Sequence, residues 1–252
     1  MLEIQDHGPV RELRLARPPV NALIPELVDA LRGAIEAAPA EGARALVISG
    51  SPGRFSGGLD VPYLMQFDRA GIARAWEGFY AMLRALATSP IPIAAAVTGH
   101  APAGGCVISI FCDARIMAEG DFKIGLNEVQ VGIPLPPVIF HALKRLIGPR
   151  EAERLAVSGV LIPAAEAHRV GLVDELAAPD RVVERAVEWC NNLLALPPQA
   201  MTLTRRLARA DLAALLEAGN DAEVSTVLDW WFSGETQAVL RKVVEMLTKK
   251  KG

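Results

Sequence analysis

Two short strand-like stretches open the chain, one holding Leu2 and Ile4, the other Val10, Leu13 and Leu15. They flank His7-Gly8-Pro9, and the pattern predicts an antiparallel hairpin. Residues 21–37 read as a helix, with Leu23, Leu27, Leu31 and Ile35 on one face and Asn21 as its N-cap. The apolar run 43–49 reads as a buried strand, closed by the turn Gly50-Ser51-Pro52-Gly53. A glycine-rich loop follows, then a single long helical pattern over 62–88. Residues 91–98 are strand-like again and lead into a second glycine-rich loop, 99–105. Residues 106–112 are apolar all round, so period alone cannot separate helix from buried strand. Short strands are expected at 114–117 and 122–124.

From about residue 136 the period is helical. A broad stripe of Val138, Ala142, Leu146 with Ile139, Leu143, Ile147 is stopped by Gly148-Pro149. Further helices are expected at 150–157, 163–169, 181–195, 198–216, 221–232 and 235–248. The strand–loop–helix rhythm recurs before residue 130. This is an α/β pattern, with a core over 1–190 and a helical C-terminal region over 191–252 of the same domain.

Composition narrows the classes. With 252 residues, 51% hydrophobic and 22% charged, the chain can bury a large core without disulfides or a structural metal. Lys plus Arg (26) nearly balances Asp plus Glu (29), so nucleic acid has no global electrostatic support as a partner. No charged residue occurs over 85–112, but Pro90, Pro92, Pro102, Gly99, Gly104 and Gly105 break that stretch, so it is not a membrane helix. Cys106, Cys112 and Cys190 match no zinc spacing and cannot all pair, which fits a reducing compartment. No secretory n-region or h-region follows Met1. The expected location is cytoplasmic, or the mitochondrial matrix if a presequence has been removed.

Three segments carry candidate chemistry. Ser56-Gly57-Gly58-Leu59-Asp60 lets backbone approach a ligand closely, and its spacing is not that of a phosphate loop. Gly99-His100-Ala101-Pro102-Ala103-Gly104-Gly105-Cys106 can open a helix, whose first N–H groups are unpaired. Together the two loops could aim two N–H groups at one oxygen. Glu128, within Gly125-Leu126-Asn127-Glu128-Val129-Gln130-Val131-Gly132, sits among apolar residues. Burial raises a carboxyl's pKa and suits it to act as a base, although composition alone favours a capping or solvated glutamate.

Taken in order, these segments resemble the crotonase family of enoyl-CoA hydratases and isomerases. The likeness begins at Arg17-Pro18-Pro19-Val20-Asn21-Ala22-Leu23 and runs through Phe55-Ser56-Gly57-Gly58-Leu59-Asp60 and Pro102-Ala103-Gly104-Gly105-Cys106. It continues in Cys112-Asp113-Ala114-Arg115-Ile116-Met117-Ala118 and Gly171-Leu172-Val173-Asp174. The subgroup it most resembles is the Δ3,Δ2-enoyl-CoA isomerases of mitochondrial type. The resemblance implies a crotonase-like core of repeated β-β-α turns, a helical C-terminal trimerisation region, and assembly as a homotrimer or dimer of trimers. It also implies an acyl-CoA substrate, with no separate cofactor and no metal. The thioester oxygen would sit between the N–H groups of Leu59 and Gly104. Ser56, Gly57, Gly58, Asp60 and Asn127 fall to substrate binding, Asp60 with a structural, capping carboxylate and Asn127 along the acyl pocket.

Hydratases of the family resemble one another in carrying two glutamates, one of which matches Glu128. The other position is Val107 here, and the second acid of the dienoyl-CoA isomerases falls at Pro136. A single carboxylate fits a 1,3 double-bond shift. Another crotonase reaction, as a hydratase or hydrolase, and a non-catalytic acyl-CoA-binding scaffold remain the alternatives. Among the other residues, His100 reads as structural, and Lys242 with Lys249, Lys250 and Lys251 as a solvated basic tail. Trp230, Trp231 and Phe232 read as core or trimer packing. Tyr63, Leu64, Met65, Phe67, Trp76 and Phe79 are the pool from which chain-length preference would be set.

Overall fold

The structure, a computed structural model, describes residues 1–217 and 221–249. β1 (Leu2–His7) and β2 (Val10–Leu15) form the expected antiparallel hairpin, in register from Leu2 opposite Leu15 to His7 opposite Val10. α1 (Pro25–Ala37) buries Leu27, Leu31 and Ile35. Asn21 is not its N-cap: Ile24 holds that position, and Asn21 is buried with φ of 51° and a different task, described below.

Three similar turns of chain follow. The first is β3 (Ala45–Ser49), β4 (Gly53–Arg54), α2 (Val61–Leu64) and α3 (Arg69–Thr88). The second is β5 (Ile93–Val97), β6 (Gly99–Pro102) and α4 (Gly104–Ile110), so the all-apolar stretch after Gly105 is helix. The third is β7 (Ala114–Ala118), β8 (Lys123–Gly125), a 3-10 turn (Glu128–Val131) and α5 (Pro137–Ser158), kinked at Gly148 where the sequence places its stop. Then come β9 (Ile162–Pro163), α6 (Ala164–Arg169), β10 (Glu175–Ala177), α7 (Val182–Leu194), α8 (Pro198–Ala208), α9 (Ala210–Glu217), α10 (Asp221–Trp231) and α11 (Gly234–Lys249). Lys250, Lys251 and Gly252, the end of the basic tail, lie outside the described residues; Lys242 is exposed.

Each turn gives one strand to each of two sheets. The larger has the order β1-β2-β3-β5-β7-β10 and is parallel from β2 onward. β3, β5 and β7 are buried along their whole length, which is why they read as unbroken apolar runs. Leu46, Ile48, Ile93 and Val97 face the main core, while Val47, Ala94, Ala96 and Ile116 face Val182, Ala186 and Cys190 of α7. The smaller sheet has the order β4-β6-β8-β9, its first three strands parallel. Their C-terminal ends therefore lie side by side, and the three candidate segments leave from those ends. The stacking is tight: a Cβ on Gly99 would lie 2.0 Å from the Gly53 carbonyl carbon.

Two predicted helices are broken, each by a polar side chain that serves the backbone. The 62–88 pattern divides at Met65–Asp68, because the Asp68 carboxylate caps α3 by accepting from the Gly71 N–H at 2.7 Å. The 198–216 pattern divides at Arg209, which turns inward. Its guanidinium donates to the carbonyls of Leu86 and Ala87 at the end of α3 and of Phe111 and Cys112 at the end of α4, at 2.6 to 3.4 Å. These are the helix-terminal carbonyls that lack intrahelical partners. Asp113, held also by Arg205 at 2.8 Å, balances the buried charge.

Arg209→Met removes every one of those donors and leaves the Asp113 pair incomplete. It is expected to lower the unfolding free energy by about 3–5 kcal/mol, read as a shift in urea midpoint at unchanged slope.

Candidate active site

Residues 20–23 brace the first loop. Buried Asn21 donates through Nδ2 to the carbonyls of Arg54 and Phe55 at 3.2 and 3.1 Å, and its own carbonyl accepts from Ser56 Oγ at 2.8 Å. The Gly57 N–H donates to the Val20 carbonyl at 2.7 Å. Leu23 then pairs with Leu59: its N–H donates to the Gly58 carbonyl at 2.7 Å, and its carbonyl accepts from the Asp60 N–H at 2.9 Å. In an extended pair, successive groups alternate sides. The Leu59 N–H therefore points away from Leu23, and no acceptor lies against it among the described residues.

Ser56 is fully buried and works for the loop itself, accepting from the Gly58 N–H at 3.2 Å as well. Asp60 caps α2 by accepting from the Tyr63 N–H at 3.1 Å, and its second oxygen pairs with Arg17 at 2.8 Å. Both oxygens of its carboxylate are thus engaged within the protein.

The second loop meets the first backbone to backbone. A Cβ on Gly58, whose φ is +81°, would lie 2.9 Å from the Ala103 Cβ and 3.2 Å from the Gly104 nitrogen. One on Gly104 would lie 2.8 Å from Leu23 Cδ1 and 3.2 Å from the Gly58 Cα. Ala103 turns this corner at φ 46°, ψ −120°, a costly conformation for a residue with a side chain. It is held by its N–H to the Gly125 carbonyl at 2.8 Å. Gly104 is the first residue of α4, so its N–H has no intrahelical acceptor and sits at the positive end of that helix.

The third segment brings the carboxyl. Glu128 opens the 3-10 turn that follows β8, and its side chain is half-buried, with Oε2 buried and unpartnered. Burial raises its pKa to about 7, well above the ordinary 4.5. It lies close to the first turn of α4: burial, with the Glu128 carboxylate as second cause, pushes the Cys106 thiol up. Asn127 Oδ1 is likewise buried without a partner. The turn is fixed from two sides. A Cβ on Gly159 would lie 2.6 Å from Val129 Cγ2, and Thr236 Oγ1 of α11 donates to the Gly132 carbonyl at 2.6 Å. Nothing in local sequence marks Thr236 or the bracing role of Asn21, since their partners are distant in the chain.

Val107 is buried in α4, and Pro136 is the N-cap of α5, so neither offers a second acid. The His100 Nδ1 accepts from the Lys123 N–H at 3.2 Å, and its ring stacks edge-on against Phe122. Of the chain-length pool, Leu64, Trp76 and Phe79 line a small apolar cavity beside Leu59. Tyr63 instead bonds outward to Glu26. Trp231 is core, while Phe232 is exposed beneath the Arg69 guanidinium. Among the described residues, no helix is long and apolar enough to cross a membrane, and no three His, Cys, Asp or Glu side chains could hold a metal ion.

A family model described as enoyl-CoA hydratase/isomerase matches residues 5–246. The chain is 32% identical over 246 residues to human enoyl-CoA delta isomerase 1, mitochondrial, covering 96% of this chain and 82% of the relative. It is 31% identical over 203 residues to a putative enoyl-CoA hydratase of Thermus thermophilus, covering 79% of each. The crystal structure of human mitochondrial delta3-delta2-enoyl-CoA isomerase superposes with a TM-score of 0.95 at 32% identity, over 100% of this chain and 99% of that one.

Gly58→Ala is expected to lose about 1–3 kcal/mol of stability in guanidinium unfolding, from the left-handed backbone and the clash with Ala103. Gly33→Ala, on an exposed face of α1 with open space around it, is the contrast and should gain about 0.5–1 kcal/mol.

Proposed function

The chain belongs to the enoyl-CoA hydratase/isomerase family, and from that membership we propose that it is a Δ3,Δ2-enoyl-CoA isomerase. It converts a 3-enoyl-CoA to the trans-2-enoyl-CoA. The observation that carries this reading is Glu128, a half-buried carboxyl whose Oε2 is buried without a partner, with no second acid at Val107 or Pro136.

The Glu128 carboxylate removes a proton from C2 of the substrate, next to the thioester carbonyl. Electrons move to the thioester oxygen, which the Leu59 and Gly104 N–H groups stabilise. The neutral Glu128 acid then returns the proton to C4, leaving the double bond between C2 and C3. Removing one such donor commonly costs about 2.7–4 kcal/mol of the barrier. A carboxyl that titrates near neutrality is well matched to both steps, because it gives and takes a proton at comparable cost. The reaction is redox-neutral and consumes no cofactor.

Hydration would need a second group to activate water, and buried Val107 cannot supply one. Membership of the family supports assembly as a homotrimer or dimer of trimers, and the exposed Leu203 and Leu207 on α8 leave apolar surface that a further copy could cover.

Glu128→Gln is expected to bind acyl-CoA esters but to lose about 10²–10⁴-fold in turnover of 3-enoyl-CoA, followed as 2-enoyl-CoA formation. Appearance of 3-hydroxyacyl-CoA from 2-enoyl-CoA at a comparable rate would overturn the isomerase reading in favour of hydration.

The pH dependence has a definite sign. Below about pH 7 the base is protonated, so kcat/KM should fall about tenfold per unit there and level off above. Because the folded pKa exceeds the unfolded one, the native state holds its proton more tightly, and Glu128 costs stability as pH rises from 4.5 through about 7. At pH 8, Glu128→Gln should therefore be more stable than the parent, by on the order of 1 kcal/mol, in thermal unfolding.

A further inference from the structure

The turn that carries Glu128 closes through one peptide unit. Between Gly132 and Ile133, the peptide N–H donates to the Glu128 carbonyl at 3.0 Å. The C=O of that same unit accepts from Thr236 Oγ1 of α11 at 2.6 Å. A peptide unit is planar and stiff. A shift of the Thr236 hydroxyl is therefore passed to the main chain of Glu128 across two hydrogen bonds.

Thr236 is itself held. It is buried near the start of α11, and its own N–H donates to Ser233 Oγ at 3.2 Å. Hydroxyls on helices commonly bond back to a carbonyl of their own helix. This one reaches instead to a turn 104 residues earlier. The helix lies directly on that turn: Gly132 has a φ of +75°, and a Cβ there would stand 3.3 Å from the Thr236 Cα. α11 also packs against α2, which begins at Val61, just past Leu59. One helix thus touches both the turn bearing the carboxyl and the helix that follows the first glycine loop.

The carboxyl owes its surroundings to that turn. Burial raises the Glu128 pKa, its own backbone N–H works the other way, and no charged group of α4, α5 or α11 contributes. From α4 the Cys106 thiol lies near it and is neutral, its own pKa pushed up by burial. A turn that gives way admits water to Oε2, and solvation favours the carboxylate.

We propose that Thr236 is a positioning residue for the double-bond shift: its hydroxyl, through the Gly132–Ile133 peptide, fixes the Glu128 carboxyl where it reaches both C2 and C4. Thr236 acts through Glu128 and not on the substrate. This inference deepens the isomerase reading and rests on it for the identity of Glu128 as the base.

The test compares Thr236→Ala, which removes the hydroxyl, with Thr236→Ser, which keeps it. Both are assayed on 3-hexenoyl-CoA across pH, after thermal unfolding has shown each to be folded at the assay temperature. Thr236→Ala should lose about 10–100-fold in kcat, with KM within about twofold of the parent. The acid limb of its kcat/KM profile should move down from about pH 7 toward 4.5, because the carboxylate is better solvated. Thr236→Ser should restore both. Thr236→Ala with the parent's kcat and midpoint overturns the proposal, as does an equal loss in Thr236→Ser. If Thr236→Ala does not fold, Thr236→Val takes its place, since a methyl cannot stand 2.6 Å from a carbonyl oxygen and must displace the turn. If the parent converts no 3-enoyl-CoA, the isomerase reading fails by itself. The Glu128 midpoint is then read by carbon-13 carboxyl NMR, with its signal assigned by its loss in Glu128→Gln. A midpoint lowered in Thr236→Ala and restored in Thr236→Ser supports the positioning role; one unchanged in Thr236→Ala overturns it.

Discussion

Where Gly58 faces Gly104, a methyl group on either would stand 3.2 Å from the main chain of the other. The two loops can share that space only as bare backbone. Their contact fixes the two loops against each other, and the rest of the fold supplies what holds it. Residues 20–23 lace the first loop from one side, and the Gly125 carbonyl holds Ala103 in its strained corner from the other. The smaller sheet stacks β4, β6 and β8 so that all three loops emerge together. At the opposite end of α4, Arg209 ties that helix to α3 through their terminal carbonyls, so both ends of the helix bearing Gly104 are anchored.

The electrostatics follow from this geometry. A helix N-terminus and free N–H groups favour negative charge, while the surroundings of Glu128 disfavour it and raise its pKa to about 7. In the proposed reaction, charge moves from where the protein holds it poorly to where it holds it well. The low local dielectric that penalises the carboxylate also strengthens the donors that receive the charge.

Much of this was legible because it is local. The hairpin around His7-Gly8-Pro9, the unbroken apolar runs of β3, β5 and β7, and the stop at Gly148-Pro149 all follow from neighbouring residues. The glycine loops and Glu128 could be marked as chemistry, and the family likeness ordered them. What escaped depends on distant partners. Asn21 looks like a helix cap until Arg54 and Phe55 are brought beside it. Arg209 looks like one more residue of a long amphipathic helix, yet its partners lie about as far back as Leu86 and Phe111. Leu64, Trp76 and Phe79 carry the same apolar signal as Tyr63, and only packing separates those that line the cavity from one that faces Glu26.

The bond from Thr236 to Gly132 joins positions 104 residues apart, and that separation has a meaning in time. During synthesis the chain emerges from its N-terminus at about 5–20 residues per second. Both sheets and both glycine loops are complete in the nascent polypeptide before α11 exists. The turn that carries Glu128 is braced only on the order of ten seconds later. Translation itself thus orders the assembly: the two glycine loops come first, and the turn that carries Glu128 gains its bond from Thr236 only after α11 has been made.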